Sequence, residues 1–276
     1  MELMTIKASD IQINVNGMTT CFEDFGEGNI PLIFIHGFPF DKSSWQPQMT
    51  HFKHTHRVIA YDIRGFGAST AGTERANIAL FADDLVQFMD RMQIEKAIVC
   101  GLSMGGYILL NAVKRYPTRF EAIILADTQC IADSEELRAK RKQTILEIGD
   151  GGIKTFADGF IKNVFTPESL TNKNGLVKNI KETILSTSTE TLTGTLYALA
   201  ERDEMCTSLK EIYVPTLILC GREDKVTPVA QSEGLRSEIE NSTLHIIEKA
   251  GHLSNLEQPI EFNKHITNFI SSLAEK

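Results

Sequence analysis

The sequence lacks several features that mark specialised classes of protein. Its five cysteines are odd in number and never occur as Cys-x-x-Cys, which favours reduced thiols. No apolar run approaches the ~20 residues that a membrane span needs. Residues 1–7 also lack the basic stretch and apolar core of an export signal. We therefore expect a soluble protein of the cytoplasm.

Positive charge is also scarce. The chain has 28 Lys and Arg residues against 36 Asp and Glu residues, which gives a formal net charge of −8, and it has no basic stripe. It is therefore a poor candidate for binding nucleic acid or an anionic membrane surface. With 42% hydrophobic residues over 276 positions, the composition is that of an ordinary globular protein of one large or two small domains.

The hydrophobic pattern predicts strands of two kinds. Residues 11–16 alternate between apolar and polar side chains, turn at Gly17 and continue as an extended run over 19–25, which indicates an antiparallel hairpin. After Pro31, continuous apolar runs alternate with helical periodicity, as in a parallel sheet that helices cover on both faces. These runs span 32–35, 58–61, 97–100, 122–126, 216–219 and 243–247.

One segment interrupts this alternation. Between Asp127 and Pro215 the sequence is rich in Lys, Glu and Thr, shows helical stretches and contains no convincing strand. Because the segment is too long for a plain loop, we expect a helical cap at 129–212, inserted into a core made of 1–128 and 213–276. The predicted fold class is α/β: a mostly parallel sheet with an N-terminal antiparallel hairpin, helices on both faces and a helical cap.

A candidate nucleophile follows one of the buried runs. Gly101-Leu102-Ser103-Met104-Gly105 matches the G-x-S-x-G pattern and lies between a predicted strand and a predicted helix. In that setting the serine sits on a sharp turn with its hydroxyl projecting, and flanking glycines leave room for the tight turn. The alternative is an ordinary glycine-rich turn in which Ser103 caps the helix.

A serine nucleophile needs a base, and the base needs an acid that fixes its tautomer. Asp224 lies on a polar turn after one buried strand, and His252 follows the next. Because parallel strands end at the same edge of a sheet, these side chains should lie near Ser103. Asp127 and Glu223 are rival acids, and His252 could instead be a surface histidine.

Five motifs occur in order along the chain: His36-Gly37-Phe38-Pro39, Asp62-Ile63-Arg64-Gly65-Phe66-Gly67-Ala68-Ser69, the Ser103 turn, Gly221-Arg222-Glu223-Asp224 and Gly251-His252. With them, the sequence resembles the α/β-hydrolase superfamily from about Pro31 to its C-terminus. The turn Ser103-Met104-Gly105-Gly106, Leu125-Ala126-Asp127-Thr128 and the stretch 251–259 most resemble the branch of 3-oxoadipate enol-lactonases and small carboxylesterases.

The resemblance implies a Ser103–His252–Asp224 triad and an oxyanion hole made by the backbone amides of Phe38 and Met104. If 36–39 is only a Gly-Pro turn, the second donor is unassigned. The expected function is that of a serine hydrolase acting on a small carboxylic ester or lactone, with no cofactor and no metal.

Other functions of the same superfamily are open. The same triad serves perhydrolases and carbon–carbon bond hydrolases, and a non-catalytic receptor could keep the fold. All three triad residues lie outside 129–212, so we expect the triad to persist without the cap. The expected partner is the small-molecule substrate, with no nucleic acid and no membrane, and a homo-oligomer is possible.

Overall fold

The computed structural model describes residues 8–274 and contains an eight-stranded sheet in the order β1-β2-β4-β3-β5-β6-β7-β8. The strands β1 to β8 are, in turn, Ala8–Val15, Met18–Phe25, Leu32–Ile35, Val58–Tyr61, Ala97–Leu102, Phe120–Ala126, Thr216–Gly221 and Ser242–Ile247. The β1/β2 and β2/β4 pairs are antiparallel, and the other neighbours are parallel. The predicted hairpin and mostly parallel sheet are confirmed.

Helices cover both faces of the sheet, as predicted. The helices α1 to α11 are, in turn, Gln46–Phe52, Ile78–Arg91, Met104–Arg115, Glu135–Gly149, Ile153–Val164, Pro167–Asn172, Asn174–Ser186, Thr189–Ala200, Val229–Glu238, Ser254–Glu257 and Pro259–Ala274. Within the described part of the chain, no helix combines the length and apolar character that crossing a bilayer requires.

The buried strands send alternate side chains into two hydrophobic cores. In β3, Ile33 and Ile35 join the core beneath α2 and α3, whereas Leu32 and Phe34 join the core beneath α1 and α11. Successive side chains of a strand point to opposite faces of the sheet, and both faces of β3 are apolar and covered. The two cores hold the strands rigidly, so the loops at their carboxyl ends start from fixed positions.

Five helices, α4 to α8, occupy most of the segment 129–212. Cys130 and Cys206 form a disulfide near its two ends, with Cα atoms 4.9 Å apart. The prediction that all cysteines are reduced is therefore wrong for this pair, because 76 residues separate the two in sequence and no local spacing marks them. Cys21, Cys100 and Cys220 are free and buried.

Candidate active site

The turn between β5 and α3 places Ser103 in a strained conformation. Its φ is +53° and its ψ is −112°, a region that residues with a side chain rarely adopt. The surrounding turn has no space for a side chain, since a Cβ on Gly101 would lie 2.3 Å from the Gly105 carbonyl oxygen and one on Gly105 would lie 2.4 Å from that of Ile35. The glycines therefore allow the tight turn that projects the serine.

Three side chains from three strand ends meet at this turn. His252 Nε2 lies 2.8 Å from Ser103 Oγ, and His252 Nδ1 lies 2.8 Å from Asp224 Oδ2. Ser103, Asp224 and His252 are only 7%, 5% and 1% exposed. The network assigns the proton on the imidazole to Nδ1, which donates to the carboxylate, and leaves Nε2 to accept from the hydroxyl.

The carboxylate of Asp224 is fixed by the turn that follows β7. Its oxygens accept hydrogen bonds from the amides of Val226 and Thr227 and from the Thr227 hydroxyl, at 2.8, 3.0 and 2.7 Å. Burial disfavours the carboxylate, but the charge and hydrogen bond of His252, together with the two hydrogen bonds from Thr227, hold the pKa of Asp224 below its usual value. Asp224 is therefore a preorganised anion.

The pKa of His252 moves in the opposite direction. Burial disfavours the imidazolium, but the charge and hydrogen bond of Asp224, helped by the charges of Asp127 and Glu257, raise the pKa above the ordinary value of 6.5. Asp224 can thus stabilise the imidazolium that forms when His252 takes a proton.

The two rival acids occupy other positions. Asp127 accepts from the Gly221 amide at 2.8 Å and from the Ser254 hydroxyl at 2.5 Å. Burial and the charge of Asp224 raise the pKa of Asp127 to about 8. Glu223 is exposed on the turn. Among residues 8–274, Asp224 is the carboxylate that bonds the imidazole of His252.

The predicted oxyanion donors flank the serine. Gly37 packs on the turn, because a Cβ there would lie 3.1 Å from Ser103 Cβ, and Phe38 is the next residue. Met104 begins α3, where the first amides of a helix have no partner within the helix. Across the described residues, neither the Phe38 nor the Met104 amide donates to a backbone carbonyl. Both are therefore available to an anion.

Sequence reasoning missed the residues that hold these loops in place. The buried ring of His36 accepts from the Ile63 amide at 2.9 Å through Nε2, while Nδ1 lies 2.9 Å from the Gly37 carbonyl oxygen. The His252 amide donates to the Val164 carbonyl at 2.9 Å. The motifs around His36 and His252 were visible in the sequence, but their partners carry no local signal.

Aromatic side chains lie beside the predicted oxyanion loop. The Phe38 ring is 6.1 Å from that of Phe156 and 6.2 Å from that of Phe160, centroid to centroid. Phe156 and Phe160 belong to α5, and each is only partly buried. The segment 129–212 therefore presents an apolar surface next to the loop.

Comparisons with known proteins agree with this architecture. Residues 30–259 match the family model for the alpha/beta hydrolase fold. The 3-oxoadipate enol-lactonase 2 of Acinetobacter baylyi is 32% identical over 260 residues, which cover 94% of this chain and 93% of that protein.

Two solved structures share the fold closely. A thermophilic esterase from Thermogutta terrifontis superposes with a TM-score of 0.91 at 29% identity, covering 96% of this chain and 99% of that one. The enol-lactonase from Burkholderia xenovorans superposes with a TM-score of 0.89 at 26% identity, covering 95% and 100%. The resemblance predicted from the motifs is confirmed.

Proposed function

This chain belongs to the α/β-hydrolase fold family, and we propose that it is a serine hydrolase that cleaves a small carboxylic ester or lactone through an acyl-enzyme. The observation that carries the proposal is the unbroken hydrogen-bond chain from Asp224 through His252 to Ser103. The similarity to an enol-lactonase and to an esterase supports the choice of substrate class.

In the acylation step, Ser103 Oγ attacks the substrate carbonyl carbon while His252 Nε2 takes the hydroxyl proton. The carbonyl oxygen becomes an oxyanion, which the amides of Phe38 and Met104 stabilise. His252 then gives the proton to the leaving alkoxide, and the C–O bond breaks. Asp224 stabilises the imidazolium throughout.

In the deacylation step, water takes the place of the alcohol. His252 removes a proton from the water, the resulting hydroxide attacks the acyl carbon, and the proton returns to Ser103 as the acid leaves. For a lactone, the alcohol remains attached to the released acid. Every step uses a side chain or an amide of this chain, so the proposal requires no metal and no cofactor.

The substrate-binding surface that we propose lies between the predicted core and the predicted cap. Phe38, Phe156 and Phe160 bring aromatic surface to the oxyanion loop. Such a lining favours an apolar acyl or alcohol group over a strongly charged one. We propose a small-molecule partner and, on the sequence arguments above other than that of the reduced cysteines, a cytoplasmic location.

The test combines covalent labelling with turnover. A fluorophosphonate probe should label the wild-type protein, and a panel of p-nitrophenyl esters of increasing acyl length, tested beside lactones, should identify the preferred substrate. Ser103→Ala should abolish labelling and lower kcat by about 10⁴-fold or more, with an unchanged circular dichroism spectrum.

The outcomes separate the alternatives. Wild-type activity in Ser103→Ala would contradict the assignment of the nucleophile. A folded wild-type protein that neither labels nor hydrolyses any ester or lactone would be a binding protein. Turnover only with added peroxide would indicate a perhydrolase.

A further inference from the structure

The loop that carries His252 is bonded to the helical segment 129–212. Beside the bond from the His252 amide to Val164, the Gly251 amide donates to Glu257 Oε1 at 2.7 Å. The other oxygen of the same carboxylate, Oε2, accepts from the Thr166 amide at 2.9 Å and from the Thr166 hydroxyl at 2.8 Å. Glu257 therefore joins the loop on one side to the segment on the other.

This carboxylate is enclosed. Glu257 is 1% exposed and Thr166 is 2% exposed, so water cannot replace a lost partner without rearrangement. Bonds from N–H and O–H donors to a buried carboxylate are stronger than neutral ones, and an unsatisfied buried charge is costly. The arrangement thus resists any movement of the segment relative to the loop.

Shape reinforces the hydrogen bonds. A Cβ on Gly251 would lie 2.9 Å from the Val164 carbonyl oxygen, 3.0 Å from Glu257 Oε1 and 3.3 Å from the Thr166 amide nitrogen. The backbone at 251 therefore lies directly against residues 164–166. Lys173 Nζ also donates to the Glu257 carbonyl oxygen, which adds a second tie between α10 and the segment.

We infer that Glu257 is a positioning residue through which residues 164–166 set the position of His252, so that the base is aligned only while the segment is docked. The inference rests on the proposed function, because it concerns the base of that reaction. Within residues 8–274, Ser103 shows no comparable tie to the segment, since its amide donates to Ala126 and its carbonyl accepts from Thr128.

The first variant is Glu257→Gln. Whichever oxygen becomes the amide nitrogen faces an N–H donor, so one side of the bridge is lost. A misplacement of the base by about 1 Å can cost about 100-fold, and we expect kcat and the rate of fluorophosphonate labelling to fall together by about 10–100-fold, with KM changed less than about threefold. Glu261→Gln is the matched control, because Glu261 lies nearby on α11 with a side chain that is 40% exposed.

The second test acts from the other side of the bridge. Thr166→Val removes one donor and should lower kcat by about 3–10-fold, while Thr166→Ser keeps the hydroxyl and should restore the wild-type rate. Because Thr166 also caps α6, Ser188→Ala, which removes the equivalent cap of α8, controls for the loss of a cap. Glu257→Gln with Thr166→Val should cost less than the product of the two separate losses.

A pH profile distinguishes positioning from general destabilisation. The charges of Asp224, Asp127 and Glu257 favour the imidazolium of His252. Glu257→Gln removes one of these charges and loosens the pair with Asp224, so the acidic limb of kcat/KM should move to lower pH. Glu261→Gln should leave the limb in place.

Several outcomes would overturn the inference. One is wild-type kcat and labelling in Glu257→Gln, and another is a lower melting temperature with unchanged kcat. If Glu257→Gln does not fold, equal rates for Thr166→Val and Thr166→Ser would overturn it as well. Failure of the proposed function is distinct, because it would appear in the wild-type protein as the absence of both labelling and turnover.

Discussion

The nucleophile and the base of the candidate site are supported in different ways. The turn at Ser103 is held by its neighbours in the sheet: Gly105 packs on the Ile35 carbonyl, and the Ser103 amide donates to Ala126. The loop at His252 is held from outside the sheet, by Val164 and through Glu257. The Ser103 turn therefore depends on core strands and on α3, which follows it, whereas the His252 loop depends also on the helical segment inserted between β6 and β7.

The difference follows from what each group needs. A non-glycine residue at φ +53° is strained and persists only where the surrounding structure fixes it, which two buried strands achieve. The base is unstrained but must keep its ring within hydrogen-bonding distance of both Ser103 and Asp224. The helical segment can supply that alignment. A substrate that binds beneath the segment can therefore change the alignment of the base, and the alignment of the base can in turn affect substrate binding.

After replacement of the nucleophile itself, the largest expected effect comes from the acid of the proposed triad. Asp224→Asn should lower kcat/KM by about 10³–10⁴-fold, because it removes control of the His252 tautomer and the charge that stabilises the imidazolium. Asp127→Asn and Glu223→Gln should each cost less than about tenfold, because neither side chain bonds the ring. Steady-state kinetics with the preferred ester measure all three.

The control for this comparison is folding. Each variant should show the wild-type circular dichroism spectrum before its kinetics are compared. A larger loss in Asp127→Asn than in Asp224→Asn would transfer the role of acid to the end of β6.

The sheet and the grouping of Ser103, His252 and Asp224 could be predicted from sequence because both follow local rules. Strands such as β3 and β5 are continuous apolar runs, and a run buried on both faces indicates a parallel sheet. Asp224 and His252 each follow such a run, and parallel strands deliver their ends to one edge. The structure places these side chains within 2.8 Å of their partners.

The supports could not be predicted, because they join residues that are distant in sequence. Thr166 and Glu257 lie 91 positions apart, and Cys130 lies 76 positions from Cys206. Neither pair belongs to a motif with fixed spacing, and the orientation of helices above a sheet depends on packing rather than on period. The expectation that the triad persists without the cap likewise took no account of the His252 backbone.

Replacing the helical segment 129–212 by a linker tests directly whether Ser103 and His252 depend on different supports. The Cα atoms of Cys130 and Cys206 are 4.9 Å apart, so a linker of about four Gly and Ser residues can span the gap after residues 131–205 are removed. Ser103 should keep its strained turn, but His252 loses Val164 and Thr166. We expect labelling by the fluorophosphonate to persist at a rate about 100-fold lower and selectivity among acyl chain lengths to be lost.

The measurement must use the monomeric fraction from size exclusion, because removal of the segment exposes apolar surface that promotes aggregation. Labelling at the wild-type rate would show that the strands alone align the base. Unchanged selectivity for chain length would place specificity in the core.

Two glycine variants compare the same supports with less disruption. Gly105→Ala places a Cβ 2.4 Å from the Ile35 carbonyl oxygen in a buried strand, whereas Gly251→Ala places one 2.9 Å from the Val164 carbonyl oxygen. We expect Gly105→Ala to lower the free energy of unfolding by about 3 kcal/mol and Gly251→Ala by about 1 kcal/mol, because the segment can shift more easily than a strand.

Gly251→Ala, the variant with the smaller loss of stability, should show the larger loss of activity relative to that loss. In Gly251→Ala the displaced segment carries the base with it, so kcat should fall about tenfold despite the small loss of stability. Urea unfolding and steady-state kinetics on both variants provide the comparison. Equal ratios of activity loss to stability loss would contradict the division into two kinds of support.

The smallest expected effect concerns the tie between the base and the core. Asp127 links Gly221, at the end of β7, to Ser254, two residues after His252, and its pKa is raised to about 8. Burial keeps part of the Asp127 population protonated where an exposed carboxyl group would be ionised, so its charge acts on His252 less than the charge of Asp224 does. Asp127→Asn should then move the acidic limb of kcat/KM by less than about 0.3 pH units, with the limb in both proteins above 6.5 because Asp224 raises the pKa of His252.

The pH dependence of stability tests independently whether Asp127 is protonated. Because the pKa of Asp127 is higher in the folded state than its ordinary value of 3.8, the native protein binds the proton more tightly than the unfolded chain. Stability should therefore fall as the pH rises from about 4 to about 8. The raised pKa of His252 also makes stability fall with rising pH, above the pKa that His252 has in the unfolded chain. The contribution of Asp127 is therefore isolated by comparing the wild type with Asp127→Asn.

Urea unfolding at pH 5 and pH 8 should show a smaller loss of stability in Asp127→Asn than in the wild type. Equal losses would mean that Asp127 is already ionised at pH 5, and the core would then hold the base loop through a charge, as Glu257 does from the side of the segment.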